Sequence, residues 1–504
     1  MLRQLLGLPG PTLPDEAPVE ASPIETPILD VLPPQPVEAP ASKPATSRPA
    51  PAAPAAKPRP AKAAPAKKAL PASVLRKAVD ESPSPPTAPT EKAGAAPAPV
   101  ASTPVIEVPP AGSEVTAANM ERWKHLLGPS IQWAVGRGAK LDIVATTPTP
   151  IEPRREEATQ RYHSQVRLAP DKLSMENYVA GIPFPFVRKD DPDLAIKLMF
   201  NYESRIVVDD VDLRHSACDT GGLSAEGGVT VEKHYEPEHF RRLFYVSRLY
   251  HEPMPTWRTV DGVRYRELAG PLAEPFDLKG AGYTYARYLD PARQDDSWVY
   301  YPSSRRVRRL GTAQRSEGIF GQDIDLDSFA GFAGNPAWSE WKYLGEKTIL
   351  ASMHAQNLPA KFQASPVDFF PDDVWEPREV HVIVGTSRLA GSSFSRRVLY
   401  IDREALLIPF AELYDMKGGL WKSLVQTWKS GSKPIPTATR AVYDEEQTYI
   451  ASISLFDMQL DHVTRCELPS SAAPGEEGWY FNFGEEEGTV EEEFTVSGLI
   501  SRGR

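Results

Sequence analysis

From about residue 146 onward, apolar side chains recur mainly at alternate positions, as they do in half-buried antiparallel strands. The runs include Tyr162, Val166 and Leu168; Leu243, Tyr245 and Leu249; Tyr283, Tyr285 and Leu289; Trp298 and Tyr300; and Val380, Val382 and Val384. Between Arg397 and Leu424 the pattern predicts three strands, joined by turns at 402–404 and 415–419. Hairpins in sequence build a meander, a sheet that must curl or be covered to bury its apolar face. Around Trp298 the alternation is densest. Residues 294–302 (QDDSWVYYP) lead through a Pro and Ser turn into 303–310 (SSRRVRRL), which reads as one β-hairpin with an arginine-rich return strand.

Helical spacing is confined to a few places. Met120, Trp123 and Leu127 share a stripe that ends at Gly128 and Pro129, and Ser130 is placed to cap a second segment with Ile131, Ala134 and Val135. A third helix is expected from Pro192 to Tyr202, with Asp191 as cap and Leu194, Leu198, Met199 and Tyr202 on its buried stripe.

Composition divides the chain. All 46 aromatic residues lie at or after Trp123, whereas 27 of the 52 prolines fall in the first 110 residues. A stretch so poor in large apolar groups cannot offset the entropy of ordering its backbone, so residues 1–113 read as a disordered Pro/Ala-rich tether. The expected folded units are an N-terminal helical segment (114–145), an antiparallel β domain (146–470) and an acidic C-terminal segment (471–504).

A net charge of −11 argues against nucleic-acid binding, which depends on neutralising phosphates. Glu476, Glu477, Glu485, Glu486, Glu487, Glu491, Glu492 and Glu493 supply much of the acidic excess and read as a solvated face or tail. Cys218 and Cys466 are the only cysteines, so a multi-cysteine metal site is excluded, and one bridge or two free thiols both fit the sequence. No apolar run reaches the length of a membrane-spanning helix. The start, Met1 to Pro9, has a charge and a short apolar stretch, but Pro9, Pro11 and Pro14 interrupt it too early for an ordinary signal peptide.

No catalytic constellation emerges. There is no nucleophile-elbow pattern, no phosphate-cradling loop with its Lys and hydroxyl, and no histidine pair at metal spacing on a helix. Asp323, Asp325 and Asp327 alternate, but Ser328 and Gly334 stand where a calcium loop needs Gly and Glu, so an exposed strand or turn face is expected. Neither a cofactor nor a metal is called for. Arg305, Arg306, Arg308 and Arg309 divide between two faces of a strand, which favours ion pairs with carboxylates such as Asp295 and Asp296 over a single phosphate or headgroup cluster. The remaining chemical signal is a concentration of aromatics and glycines within 283–343, read either as a sheet core or as one wall of an apolar cavity under a glycine-containing flap.

The 294–310 hairpin resembles the bacterial domain-of-unknown-function family thirteen twenty-nine, described as outer-membrane lipoprotein-sorting-protein-like. The likeness extends through 177–185 (NYVAGIPFP), 191–199 (DPDLAIKLM), 270–280 (GPLAEPFDLKG), 328–334 (SFAGFAG), 341–347 (WKYLGEK), 396–404 (RRVLYIDRE) and 494–504 (FTVSGLISRGR), about residues 114–504 in all. Asp295, Asp296, Arg305, Arg306, Arg308 and Arg309 are its family-motif residues here. The resemblance implies a mainly β (α+β) fold: a curved, unclosed antiparallel half-barrel of the LolA/LolB type, covered by a few helices. It further implies a non-enzymatic carrier or chaperone for a lipid or lipoprotein acyl chain, periplasmic or associated with the outer membrane, with peripheral membrane contact. A transporter of the resistance-nodulation-division class and an outer-membrane partner are the implied context. The long tether and the acidic stretch near 485–493 depart from the family pattern.

On that reading the ligand-binding residues are expected to be Tyr283, Tyr285, Trp298, Tyr300, Phe320, Phe329, Phe332, Trp341, Tyr400 and Trp421. Two alternatives stand beside it. One is an adaptor module that docks an envelope transporter, and the other is an enzyme using Asp323, Asp325 and Asp327 on a hydrophobic substrate.

Overall fold

The computed structural model describes residues 106–504, except 206–207, 225–226, 258–259, 434–444, 471–474, 476, 485–489 and 504. Most of the expected tether therefore lies outside the described residues. Backbone pairing begins at Gly112, whose amide donates to Ile143.

Two sheets carry the fold, antiparallel throughout except where Leu141–Ile143 runs parallel to Val374–Ser387. The larger has twelve strands and is built around the long neighbours Ser339–Ala351, Val374–Ser387, Arg396–Asp402, Phe410–Tyr414, Leu420–Gly431, Gln447–Asp457 and His462–Glu467. Among these are the three strands of the expected meander, with the 415–419 turn in place and a longer connection, 403–409, between the first two. The smaller sheet has seven strands in the order Arg306–Arg309, Asp296–Tyr301, Gly282–Tyr288, Val263–Ala269, His239–Phe244, Asp210–Arg214 and Gly478–Phe481. Neither sheet closes on itself. The hairpin at 294–310 forms as expected, and its arginine strand is the outer edge of the smaller sheet.

One bent ribbon joins the sheets. Asp210–Arg214 pairs with His239–Phe244 in the small sheet, and two residues later Ala217–Leu223 pairs with Val229–Pro237 in the large one. Pairing continues through the corner, where His215 and Ser216 donate to Glu238 and Pro237. The two inner faces share one hydrophobic core, containing Val211, Leu213 and Phe240 from one sheet and Leu424, Tyr449 and Ile453 from the other. Cys218 and Cys466, directly opposed on neighbouring strands, form a buried disulfide across 248 residues of sequence.

Helices cover parts of these faces. Leu194–Glu203 buries Leu194, Leu198, Met199 and Tyr202, the stripe its spacing predicted. It starts two residues later than expected, and Asp191 accepts from the Asp193 amide and pairs with Lys197. The first stripe forms as the short helix Met120–Trp123, continued by a tight turn. The next helix is Pro129–Gly136, preceded by Gly128 and not capped by Ser130, which is buried against Ser423.

Three expectations are corrected. Tyr162 ends the helix Pro153–Tyr162 and does not begin a strand, because that helix buries only Arg155, Ala158 and Thr159 and shows little apolar periodicity. Asp323, Asp325 and Asp327 are not an exposed face: all are at most 8% exposed, and each has a side-chain partner, His462 and Thr464, Ser328, and Arg315 respectively. The acidic tail is not purely solvated. Glu493 pairs with Arg241 and Arg502, Glu491 accepts from the Tyr245 hydroxyl, and Phe494 is buried on the outer face of the small sheet; Glu476 and Glu485 to Glu487 lie outside the described residues.

Candidate functional site

Between the two inner faces lies a cavity of about 110 Å³. The small sheet supplies Phe240, Arg242 and Phe244, alternate residues of one strand that point to one face. Val211, Tyr265, Trp479 and Phe481 continue that wall, while Trp428, Tyr449 and Ile450 come from the large sheet opposite. The aromatics pack in two groups: Phe240 lies 4.9 Å from Phe329, and Trp479 and Phe481 stack at 6.0 Å with Tyr449 beside both.

A loop at 329–334 closes one side. The Tyr202 hydroxyl, at the end of its helix, lies 2.7 and 2.8 Å from the carbonyl oxygens of Ala330 and Phe332 and so ties the loop to the helix. Gly331 has φ +91, and a Cβ there would sit 2.5 Å from Ile408, so only glycine fits this close approach. Burial pushes the Tyr202 hydroxyl above its ordinary pKa, which keeps it a donor.

The cavity is not simply greasy. Five guanidinium groups border it: Arg155, Arg205, Arg242, Arg264 and Arg287. Four have carboxylate partners. Arg155 lies 3.1 Å from Glu152, Arg264 2.5 Å from Glu203, and Arg287 2.7 Å from Asp295, while Arg242 pairs with Glu267. Burial alone would lower Arg242, but Glu267 outweighs it and holds the group charged. Burial raises the Glu152 carboxyl despite the opposing pull of Arg155. The fifth, Arg205, has no carboxylate partner among the described residues.

Of the ten residues expected to bind ligand, Phe329 and Phe332 border the cavity. Strand register separates the expected wall around the hairpin. Thr284 stands opposite Trp298 and Gly282 opposite Tyr300, so Tyr283 and Tyr285 face inward while Trp298 and Tyr300 face outward, toward the C-terminal segment. Tyr283 reaches Glu267 and Tyr285 packs near Tyr265, both behind the cavity wall. Phe320 packs on Tyr301, Trp341 on Phe332, Tyr400 on Phe410 and Trp421 on Phe394, and none of these four borders the cavity.

Of the motif residues, Asp295, Asp296 and Arg309 join ion pairs, whereas the ion pairs expected for Arg305, Arg306 and Arg308 are not seen among the described residues. Asp295 accepts from Arg287 and pairs with Arg315, and Asp296 accepts from Tyr288 and pairs with Arg293 and Arg309. Arg305 occupies the left-handed turn at φ 50, and Arg308 lies over the Tyr301 ring at 5.7 Å. Arg306 is exposed on the edge strand. The arginines bordering the cavity carry no sequence signal of their own. Arg242 is detectable only as the middle of the alternating Phe240, Arg242, Phe244, and Arg205 not at all.

Fold and cavity together define a mainly antiparallel β protein with an unclosed, bent double sheet around an amphipathic pocket. The chain belongs to the DUF1329 family, described as protein of unknown function, whose sequence pattern matches residues 114–499. No curated protein matches it. Similar solved structures include a Vibrio parahaemolyticus domain assigned provisionally to outer membrane lipoprotein sorting, at 14% identity over 61% of this chain and 98% of that one, with a TM-score of 0.41. A DUF1329 family protein from Desulfovibrio piger is similar at 15% identity, 60% and 96% coverage and a TM-score of 0.38. A LolA superfamily protein from Nitrosomonas europaea is similar at 14%, 59% and 94%, and 0.33. Among the described residues no helix is long and apolar enough to cross a membrane, and no group of side chains is arranged to hold a metal ion.

Proposed function

We propose that the protein is a non-enzymatic binder and carrier of a hydrophobic ligand, a lipid or an acyl chain, in the cell envelope. The observation that carries this reading is the cavity walled by aromatics from both sheets and closed by the 329–334 loop. Binding sites for small ligands are concave and mostly apolar with a few placed polar groups, and this one fits that description. The buried disulfide supports an oxidising compartment, such as the periplasm, as the place of work.

Size sets how the cavity is used. A dry cavity of ~150 Å³ holds a benzene-sized body, so the closed form here seats about six carbons. At roughly 0.8 kcal/mol per buried methylene that gains about 5 kcal/mol, a Kd of roughly 0.2 mM before ordering costs. A long chain therefore requires the loop or the sheets to move apart, which fits a carrier that must also release its load.

The adaptor reading would use the exposed edge strand Arg306–Arg309. Charges on an edge strand also discourage pairing with other chains, and that ordinary role accounts for them.

Organic extraction of the native protein followed by mass spectrometry should release a lipid, and tryptophan fluorescence should respond to a fatty-acyl probe. Leu407→Trp, which fills the cavity, should abolish that response while the fold is retained. An empty extract together with an unchanged response in the filled variant would overturn the proposal.

A further inference from the structure

Arg205 is 6% exposed, yet no carboxylate stands at ion-pair distance from it among the described residues, and Glu203 acts on it only from farther off. One guanidinium nitrogen, Nη1, donates to the Tyr202 carbonyl at 2.7 Å, and the group lies 3.7 Å over the Tyr202 ring. Its Nε is buried without a hydrogen-bond partner among the described residues. The other four arginines of the cavity each have a carboxylate at ion-pair distance, so Arg205 is the one guanidinium of the lining without such a partner among the described residues.

An ordinary structural role explains part of this. An arginine just past the helix Leu194–Glu203 can satisfy a last-turn carbonyl and favour the negative helix end. That role uses Nη1 and is available to a guanidinium standing in water. It does not account for withdrawing the group from solvent, nor for a buried donor left open, since a buried cation without an ion-pair partner is costly. Cation–π contact with Tyr202 offsets about 2 kcal/mol or more of that cost. Arg205 itself borders the same cavity that the aromatics enclose.

We propose that the ligand is an oxyanion-headed amphiphile, a fatty carboxylate or an alkyl phosphate, whose head group is held by Arg205 while its apolar body lies against the aromatic walls. The inference rests on the carrier reading and adds its polarity. The planar guanidinium fork matches two oxygens of a carboxylate or phosphate. An uncharged amphiphile would leave the fork unmade, as it is now.

Calorimetric titration of the full chain with octanoate, octyl phosphate and 1-octanol tests this. At least one anion should bind 10-fold or more tightly than octanol, and which anion it is distinguishes a carboxylate head from a phosphate. In Arg205→Met the preference should collapse to within about threefold, with octanol affinity unchanged. Arg205→Lys keeps the charge without the fork and should retain a reduced preference. This second variant, with the wild-type ratio, decides the matter should the Met variant fail to fold. Octanol binding as tightly as both anions to the wild type, or a preference that survives Arg205→Met, overturns the head-group assignment and leaves the carrier reading standing. Failure of all three compounds to bind overturns both.

Discussion

Asp295→Asn removes one charge from a buried chain of four ions. Asp295 accepts from Arg287 at 2.7 and 2.8 Å and lies 2.9 Å from Arg315, which in turn donates to Asp327 at 2.6 and 3.0 Å. Arg287 is 2% exposed and Arg315 5%, so neither can turn to water when the carboxylate is lost. Breaking a buried pair in this way costs about 3–5 kcal/mol. For a folded part of about 390 residues the unfolding entropy is roughly 0.8 kcal/mol per degree, so the melting midpoint should fall by about 4–6 °C. Scanning calorimetry of the full chain measures it. The double variant Arg287→Met with Asp295→Leu deletes a balanced pair and leaves Arg315 on Asp327, so its loss should be smaller than the sum of the two single losses. A midpoint for Asp295→Asn within about 1 °C of the wild type, or strictly additive losses, would refute the claim that this network is held by charge.

Three further outcomes follow from named groups. The disulfide closes a 248-residue separation, so Cys218→Ala with Cys466→Ala should lose roughly 2–5 kcal/mol in denaturant unfolding; unchanged midpoints would mean that the bond contributes nothing. His381 is buried, and burial first, then Arg403 and Lys189, holds it down to about 3. Its folded value lies below the unfolded one, so its contribution is present above about pH 6.5 and lost as pH falls; between pH 7 and 5 the wild type should lose roughly 2 kcal/mol that His381→Gln does not. His234, half-exposed, is raised to about 9 by its hydrogen bond to Asp219 and by Glu236. Its stabilisation is complete below about pH 6.5 and lost through pH 9, so the midpoints of the wild type and His234→Gln should differ at pH 6 and converge by pH 10; a gap that persists at pH 10 would assign it to packing.

Much of the fold could be read from local pattern. The Leu194 helix, the hairpin at 294–310 and the strands from Arg396 to Gly431 follow spacings of three to four or of two, because each buries one face against a core. Where an element buries little that is apolar, spacing misleads. The helix Pro153–Tyr162 presents arginine and threonine to the interior, and Tyr162 with Val166 and Leu168 imitates a strand. Alternation also says nothing about register between strands. Tyr283 and Tyr300 look like neighbours on one wall, yet the pairing of Gly282 with Tyr300 turns them to opposite faces.

Burial of the acidic run at 323–327 shows the same limit. Alternate carboxylates read as a wet surface until His462, Thr464 and Arg315 arrive from 12 to 141 residues away to satisfy them. The strand-rich class, the family and the boundary near which aromatics begin were legible before any contact was known. These depend on local spacing and composition, which survive without contacts. The cavity, the disulfide and the lack of an ion-pair partner at Arg205 emerge with folding, because a charge gains or lacks a partner, and a face is inner or outer, only once distant strands have met.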